Sequence, residues 1–373
     1  MAKKVILAVA GAGKTYHICH AIDSTKKNLI LAYTHENIYN IQKELCDAYG
    51  CVPELTTVMT FHAFVYHHVI LPYEPSIKEH FGLSYFTSNG ICTMEPPQQR
   101  IPDSSGQMVN NPKYRKKESI DHYVTKREQY YCDRISELAL YVKKRSESII
   151  KRAAKRLNMF YDTILIDEFQ DFREYDYEVI MALAKQLNDV MMVGDYYQHS
   201  VSARNNTGKP FKNRKGNVNY VDFVASMIKE GFTVDESTLT QSRRCSSDIC
   251  DYVSPKLGIG ITSTGNHKGS VIWVNDDAIS ILNNNQIIKL VIRDAARYSF
   301  PALNWSYSKG DTVNSACVIL TDGLDNLDDD DFNPQKIKTS TLNKLYVAMT
   351  RSRGDLYLMK ASTFKTLKKA YMR

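Results

Sequence analysis

The chain has 373 residues, 43% hydrophobic and 24% charged, a composition that is ordinary for a soluble globular protein of two or three domains. No apolar run reaches the roughly 18 residues that a membrane-spanning helix requires, which excludes a membrane partner. A net charge of +7 favours a polyanionic partner, and eight scattered cysteines without a CxxC pair favour reduced thiols over a metal site. We expect a cytoplasmic protein, in the host cytoplasm if a virus or phage encodes it.

The first predicted strand, residues 3–9, runs into a loop of small residues. The segment VILAVAGAGKTY (5–16) has the phosphate-loop pattern, with Ala8 where the commonest form has glycine. Lys14 supplies a point charge for the β- and γ-phosphates, and the Thr15 hydroxyl is a magnesium ligand. The loop is therefore expected to bind a nucleoside triphosphate with Mg²⁺; the alternative is a glycine-rich turn that contains a lysine. The expected binding residues are Gly11, Ala12, Gly13, Lys14 and Thr15.

A second predicted strand, residues 162–167, ends in adjacent acids in the sequence YDTILIDEFQDF (161–172). A phosphate loop needs a partner strand whose terminal acid holds magnesium, and Asp167 fits that role. Glu168 is then placed to act as the base that polarises the attacking water. The alternative is a solvated turn after a core strand. With the phosphate loop, this strand predicts hydrolysis of a nucleoside triphosphate.

Six further segments follow the same order as the motifs of a known family. They are LILAYTHEN (29–37), TVMTFHAFV (57–65), DVMMVGDYYQHSV (189–201), LTQSRRCSSDI (239–249), WSYSKGDTVNSACVIL (305–320) and LNKLYVAMTRSRGDLYLM (342–359). Together with DEFQD, the series resembles the superfamily 1 DNA helicases of the UvrD/Rep type over nearly the whole chain. Only about 60 residues separate SRRC from SKGDT, so the likeness is to a compact form without the second large accessory domain.

The resemblance implies an α/β fold of two RecA-like parallel-sheet domains, with ATP in the cleft between them and a mostly helical insert in the first. The first domain would comprise 1–71 and 158–205, the insert 72–157, and the second domain 206–373. The strands predicted from apolar runs are 3–9, 28–33, 56–59, 162–167 and 190–194 in the first domain, and 232–239, 270–274, 316–320 and 355–359 in the second.

The resemblance also assigns roles to residues beyond the phosphate loop. Gln170 and Gln198 match the amides that sense the γ-phosphate. Arg244 of SRRC and Arg351 of AMTRSR match arginines that reach the γ-phosphate from the second domain, which would stabilise the transition state only when the halves meet. The alternative for each arginine is a structural contact without phosphate.

The chain departs from the family pattern in three places. The glutamine that reads adenine has no counterpart before the phosphate loop, which leaves selectivity for adenine open. Val201 and Ala203 stand where two aromatic residues stack on DNA bases, contacts worth about 1–3 kcal/mol per base. The segment KGDTV (309–313) keeps Lys309 and Gly310 for nucleotide binding but has Thr312 where a ribose-contacting glutamate is expected.

Two groups of residues are expected to contact nucleic acid. Segments that resemble the family's strand-contacting loops contain His35, Thr60, Phe61, His62 and Phe64. The back of the insert, 113–156, holds fourteen Lys/Arg and six Asp/Glu, a net of +8, and such charge with interleaved aromatics is typical of single-strand channels. The alternatives are core packing for the two phenylalanines and a solvated helical hairpin with core tyrosines for the insert. The charged candidates are Lys116, Lys117, Lys143 and Lys144, and the tyrosines are Tyr114, Tyr123, Tyr130, Tyr131 and Tyr141.

The sequence thus predicts an ATP-dependent translocase or helicase acting on single-stranded or forked DNA, with RNA left open and 3′→5′ polarity by resemblance alone. The alternative is a nucleotide-gated binding subunit that controls a partner nuclease or repair protein, with little unwinding of its own.

Overall fold

The computed structural model of the chain describes residues 3–144, 147–199, 208–214, 216–306 and 312–373. Within these ranges, no helix is both long enough and apolar enough to cross a membrane. The α-helices are α1 (Lys14–Ala21), α2 (His35–Tyr49), α3 (Phe61–Phe64), α4 (Glu74–His80), α5 (Cys132–Tyr141), α6 (Ile149–Phe160), α7 (Glu174–Ala184), α8 (Tyr220–Lys229), α9 (Ser247–Leu257), α10 (Ala278–Asn283), α11 (Thr339–Met349) and α12 (Ala361–Leu367).

The strands form two parallel sheets and several two-stranded ribbons. In chain order they are β1 (Lys3–Leu7), β2 (Asn28–Ala32), β3 (Thr56–Thr60), β4 (Ile91–Cys92), β5 (Arg100–Pro102), β6 (Met108–Asn110), β7 (Tyr130–Tyr131), β8 (Lys143–Lys144), β9 (Glu147–Ser148), β10 (Thr163–Ile166), β11 (Val190–Gly194), β12 (Lys212–Asn213), β13 (Gly216–Asn217), β14 (Thr233–Asp235), β15 (Gln241–Ser242), β16 (Thr262–Ser263), β17 (Val271–Val274), β18 (Ile287–Val291), β19 (Ala302–Asn304), β20 (Ser315–Ile319) and β21 (Leu356–Met359). The first sheet has the order β14-β1-β11-β10-β2-β3, and the second has the order β17-β21-β20-β18-β19. The predicted α/β fold with two parallel sheets is confirmed.

The register of the first sheet brings two predicted motifs to one edge. Leu7 at the end of β1 lies opposite Gly194 of β11, and Ile166 at the end of β10 lies opposite Leu31 of β2. All pairings among these strands are parallel, so their carboxyl ends meet at the same edge. The loop after β1 and the acids after β10 therefore emerge beside each other, one strand apart.

Side chains of β1 alternate between two apolar cores, as the period of two in a strand requires. Val5 and Leu7 pack in a cluster that includes buried residues of α5, α6 and α7. Ile6 faces the other side and packs in a cluster with α1 and α2. That second cluster also contains buried residues of α9, α11 and the second sheet, so one core joins the two halves of the chain.

The strand predicted at 232–239 was expected beside the strands of the second sheet, but it pairs in the first sheet. Residues of β14 pair in parallel with β1, with Val234 opposite Val5, and form the edge of the first sheet. An ion pair of 2.7 Å between Lys4 and Asp235 supports this edge. The apolar run predicted a strand, but it carries no information about the sheet in which the strand pairs; the predicted domain limits remain a prediction.

Strands β18 and β19 of the second sheet were missed. Lys289 lies in the middle of β18, where a buried strand of a parallel sheet is expected to be apolar. It is nevertheless fully buried, and its Nζ donates to the carbonyl of Asn284 at 2.5 Å. This charge broke the apolar pattern that strand prediction relies on.

In the described part of the insert, the α-helices lie toward its two ends. Helix α4 begins it, and α5 and most of α6 end it. Between them lie a parallel pair of β4 with β7 and an antiparallel pair of β5 with β6. The middle of the insert is therefore built from short strand pairs instead of the helices expected there.

Candidate nucleotide-binding site

The predicted phosphate loop lies between β1 and α1. Gly13 precedes α1 with φ 85°, and Gly11 has φ 73°, conformations that favour glycine. A Cβ on Gly11 would lie 2.7 Å from the Cβ of Arg244, so the second half of the chain contacts this loop closely. The N–H of Ala12 donates to the carbonyl of Val9 at 3.3 Å and is used inside the loop.

Four predicted side chains meet at the end of the loop. The Nζ of Lys14 lies 3.3 Å from Oε1 of Glu168, and the Thr15 hydroxyl donates to Oδ2 of Asp167 at 2.9 Å. The backbone N–H of Glu168 donates to Oδ1 of Asp167 at 2.8 Å. The sequence predicted these four residues, and the structure brings them together.

The oxygens of Thr15 and Asp167 are suited to Mg²⁺. Burial, and after it the charge of Glu168, raises the pKa of Asp167, whereas Lys14 and the Thr15 hydroxyl act in the opposite direction. A divalent cation beside this carboxyl would favour its ionised form. In the part of the chain that the structure describes, no three His, Cys, Asp or Glu side chains form a metal cage. Mg²⁺ is usually held by one or two protein oxygens with phosphates and water, and Thr15 and Asp167 offer two such oxygens.

The two predicted amides occupy different places. Gln198 is buried beside the cleft, and its Nε2 donates to Oδ2 of Asp195 at 2.7 Å. Gln170 is fully buried, donates to Glu168 and accepts from the N–H of Asp195 at 3.0 Å. Gln198 lines the cavity between the halves, whereas Gln170 lies behind it and supports Glu168.

Both predicted arginines reach the cleft from the second half of the chain. Arg244 donates through Nε to the Thr312 hydroxyl at 2.8 Å and through Nη1 to the carbonyl of Thr350 at 3.1 Å. Arg351 is 1% exposed, and its Nε donates to the carbonyl of Val347 at 2.8 Å. Burial and the neighbouring Arg244 lower the pKa of Arg351 to about 9. The buried guanidinium of Arg351 and the partly buried one of Arg244 repel each other, so an anion between them would stabilise both.

A cavity of about 300 Å³ connects these groups, and six of its lining residues were not predicted. The Arg243 guanidinium lies over the Tyr16 ring, 4.5 Å from its centroid. The Tyr16 ring also stacks with the His20 ring, with the two centroids 3.9 Å apart. The Tyr16 ring and the Arg243 guanidinium are both planar, and planar groups of this kind are suited to stacking against a nucleobase. Tyr16 follows GKT directly and Arg243 precedes Arg244. Their positions next to the motifs were therefore the sequence signal from which both residues could have been predicted. The six missed residues are Tyr16, Asn37, Asn40, Glu44, Arg243 and Arg353.

Phe61 and Phe64, for which contact with nucleic acid was expected and core packing was the alternative, are buried in the core. They are 0% and 1% exposed, and the Phe61 ring packs against Phe172 at 5.0 Å. Helix α3 turns both rings back into the core of the first sheet. The two histidines of the same segments are more accessible than the phenylalanines: His35 is exposed at the start of α2, and His62 is partly buried.

Of the other residues in these segments, Thr60 is partly buried, and its hydroxyl accepts from the N–H of Ala63 at 3.4 Å. His62 lies 3.8 Å from Asp176. Thr60 therefore caps α3, while His35 keeps an accessible side chain.

In the insert, three of the four predicted lysines are exposed to solvent, and three of the five predicted tyrosines are buried. Lys116, Lys117 and Lys143 are exposed, and Lys117 lies 5.6 Å from the Tyr141 ring, two residues before Lys143. The side chain of Lys144 lies outside the described residues. Three of the five tyrosines follow the alternative of core packing, because their side chains are buried: Tyr123, Tyr130 and Tyr131.

Four residues singled out in the sequence lie outside the described ranges, and their roles stay predictions. These are Val201, Ala203, Lys309 and Gly310.

A glycine loop before a helix, next to a strand that ends in a buried acid, defines the class of P-loop nucleotide-binding proteins. Residues 2–204 match the model of a family described as AAA domain, and the chain belongs to that family. No curated protein matches the chain.

Solved structures similar to the chain include an arterivirus nonstructural protein 10 (helicase) in complex with DNA, with 14% identity and a TM-score of 0.44, over 95% of this chain and 60% of that one. The PRRSV helicase has 14% identity and a TM-score of 0.43, over 99% of this chain and 54% of that one. The chain spans a little over half the length of these structures.

Proposed function

We propose that the chain hydrolyses ATP with Mg²⁺ and uses the energy to move along a single strand of DNA, as a compact translocase or helicase of superfamily 1. One observation carries the proposal. Arg244 and Arg351 of the second half line the same cavity as Lys14 and Glu168 of the first. A site completed by two halves links hydrolysis to their relative position.

Each residue has a role in the proposed reaction. A water oxygen attacks the γ-phosphorus while the bond to the bridging oxygen breaks and ADP leaves. Glu168 accepts the proton of that water at a carboxylate oxygen, and Lys14 binds the phosphate oxygens. Arg244 and Arg351 stabilise the charge that spreads over the γ-phosphoryl oxygens. Thr15 and Asp167 would hold Mg²⁺, which when bound supplies positive charge to the phosphates.

DNA as the partner, and 3′→5′ polarity, rest on the resemblance of the motifs to the UvrD/Rep helicases. The exposed lysines of the insert support a polyanion partner, because each phosphate that a lysine neutralises releases a counterion. RNA would satisfy the same charges.

The second candidate is a nucleotide-gated subunit that binds nucleic acid and controls a partner protein such as a nuclease or repair factor. It is favoured by the burial of Phe61 and Phe64, because two aromatic rings that were expected to contact nucleic acid are not available to stack on bases. A motor without such platforms would have fewer contacts with which to step.

A forked DNA duplex separates the two candidates. The purified chain is mixed with a labelled fork and ATP, and strand displacement is followed beside ATP turnover, with Lys14→Ala as the inactive control. Displacement that requires ATP and Lys14 supports the helicase. DNA-stimulated turnover without displacement supports the gated subunit, and the absence of both would contradict both candidates.

A further inference from the structure

A hydrogen bond to a side chain joins the phosphate loop directly to helix α11 of the second half of the chain. The hydroxyl of Tyr346, on α11, accepts from the backbone N–H of Ala10 at 2.8 Å. Both residues are 0% exposed. A buried backbone N–H requires an acceptor, and here a side chain 336 positions away provides it.

The same residue is tied to both arginines through the end of α11. The Thr350 hydroxyl donates to the carbonyl of Tyr346 at 2.7 Å, and the carbonyl of Thr350 accepts from Arg244 at 3.1 Å. Arg351 donates to the carbonyl of Val347, the residue after Tyr346, at 2.8 Å. A displacement of Tyr346 would therefore displace the segment on which both guanidinium groups are held.

Helix α11 also contacts the turn that carries Gln198. The Tyr197 ring meets the Tyr346 ring edge-on at 6.1 Å, and Asn343 lies 3.4 Å from Nδ1 of His199. Tyr346 thus touches two of the first-half segments that line the cavity, and its own helix leads to Arg351.

We propose that Tyr346 is a positioning residue that couples the phosphate loop to Arg351, so that the loop and the arginine reach the nucleotide together. The phenol does not touch the reacting atoms; it acts through the loop amide on one side and the end of α11 on the other. This inference rests on the proposed ATP hydrolysis and adds a residue that links its two halves.

Tyr346→Phe removes only the oxygen that Ala10 contacts and is the first test. We expect kcat for ATP to fall about tenfold or more, with KM and the affinity for AMP-PNP changed less than about threefold, because alignment matters most in the transition state. Tyr66→Phe is the matched control: Tyr66 is also buried, and its hydroxyl lies 3.0 Å from that of Ser88, away from the cleft. A kcat of Tyr346→Phe within about twofold of the wild type would overturn the proposal.

A double variant tests whether the effect passes through Arg351. In the Arg351→Ala background, Tyr346→Phe should cost little further turnover, since a coupled pair is not additive. Losses that multiply would overturn the coupling. Wild-type protein without turnover would contradict the proposed function, whereas normal turnover in Tyr346→Phe would contradict this inference alone.

Hydrogen exchange of the wild-type chain gives a test that depends neither on the variant's folding nor on turnover. On addition of AMP-PNP, amides of residues 8–13 and of α11 should gain protection together. Protection of residues 8–13 without α11 would overturn the coupling.

Discussion

At the scale of single residues, Glu168 has a backbone conformation that is uncommon outside glycine. Its φ is 51°, in the left-handed region. Such conformations cost about 1–3 kcal/mol and persist where the surroundings enforce them. Here the N–H of Glu168 donates to Asp167 at 2.8 Å, and its carboxylate lies 3.3 Å from Lys14. The turn therefore directs one acid of the pair toward Thr15 and the other toward Lys14.

Arg351→Ala should lower kcat by about 3 decades, the magnitude typical of arginine fingers, and leave nucleotide affinity nearly unchanged. The reason is that the guanidinium acts on charge that develops in the transition state. Steady-state turnover and AMP-PNP titration measure the two quantities. Arg293→Ala, an exposed arginine of the same half, is the control. A parallel loss of affinity and turnover would instead identify a ground-state phosphate contact.

The sequence alone was enough to predict those side chains that belong to a motif, because the expected chemistry of a motif fixes both the residue types and the spacing between them. Lys14, Thr15 and Asp167 were predictable because a phosphate and a cation require those groups after buried strands. Phe61 and Phe64 were not, because the letters TFHAF do not show which way a short helix turns its rings. That direction depends on packing against Phe172, more than 100 positions away.

At the scale of elements, the phosphate loop after β1 packs closely against the segment that carries Arg244. The N–H of Arg243 donates to the carbonyl of Gly11 at 2.9 Å, and the N–H of Val9 donates to the carbonyl of Leu239 at 2.9 Å. Both hydrogen bonds connect the backbone of the phosphate loop to the backbone of residues 239–243. The sequence predicted the loop, but this contact depends on the placement of β14 and the residues after it, which the sequence did not predict.

Gly11→Ala should weaken nucleotide binding about tenfold or more, because the added Cβ would lie 2.7 Å from Arg244 in a conformation that already favours glycine. AMP-PNP titration measures the effect. Gly50→Ala is the matched control, since Gly50 has φ 79° with nothing within 4 Å of the added Cβ. It should lose about 1–2 kcal/mol of folding stability and keep its affinity. Equal affinities in both variants would show that the loop has room to adjust.

At the scale of the whole molecule, one apolar cluster spans both sheets, and the insert adds a separate basic surface. The cluster includes Ile6 and Leu165 of the first sheet with Val318 and Leu358 of the second. The cavity lined by the phosphate loop therefore lies beside a packed interface, and a shift at that interface would change the distance between the arginines and the loop. The insert is remote from these residues in sequence and carries none of the hydrolytic groups.

Neutralising four lysines of the insert should flatten the salt dependence of single-strand binding. Each phosphate contact contributes roughly 0.7 to the log–log slope, so the loss can reach about 3 units while basal ATP turnover stays intact. The changes are Lys116→Ala, Lys117→Ala, Lys143→Ala and Lys144→Ala, measured with a labelled strand at several salt concentrations. A charge-matched control changes four exposed lysines of the second half: Lys268, Lys336, Lys365 and Lys369. An unchanged slope in the first variant would mean that the insert is a solvated face.

The central claim is that the two halves of the chain form one ATP-hydrolysing site and that nucleic acid stimulates its turnover. The most direct measurement is phosphate release from ATP by the purified wild-type chain as single-stranded DNA is titrated in, beside Glu168→Gln. Turnover in the wild type should rise with DNA and saturate, while Glu168→Gln should bind ATP and release almost no phosphate, because it lacks the base. Wild-type phosphate release no greater than that of Glu168→Gln, with or without DNA, would contradict the account.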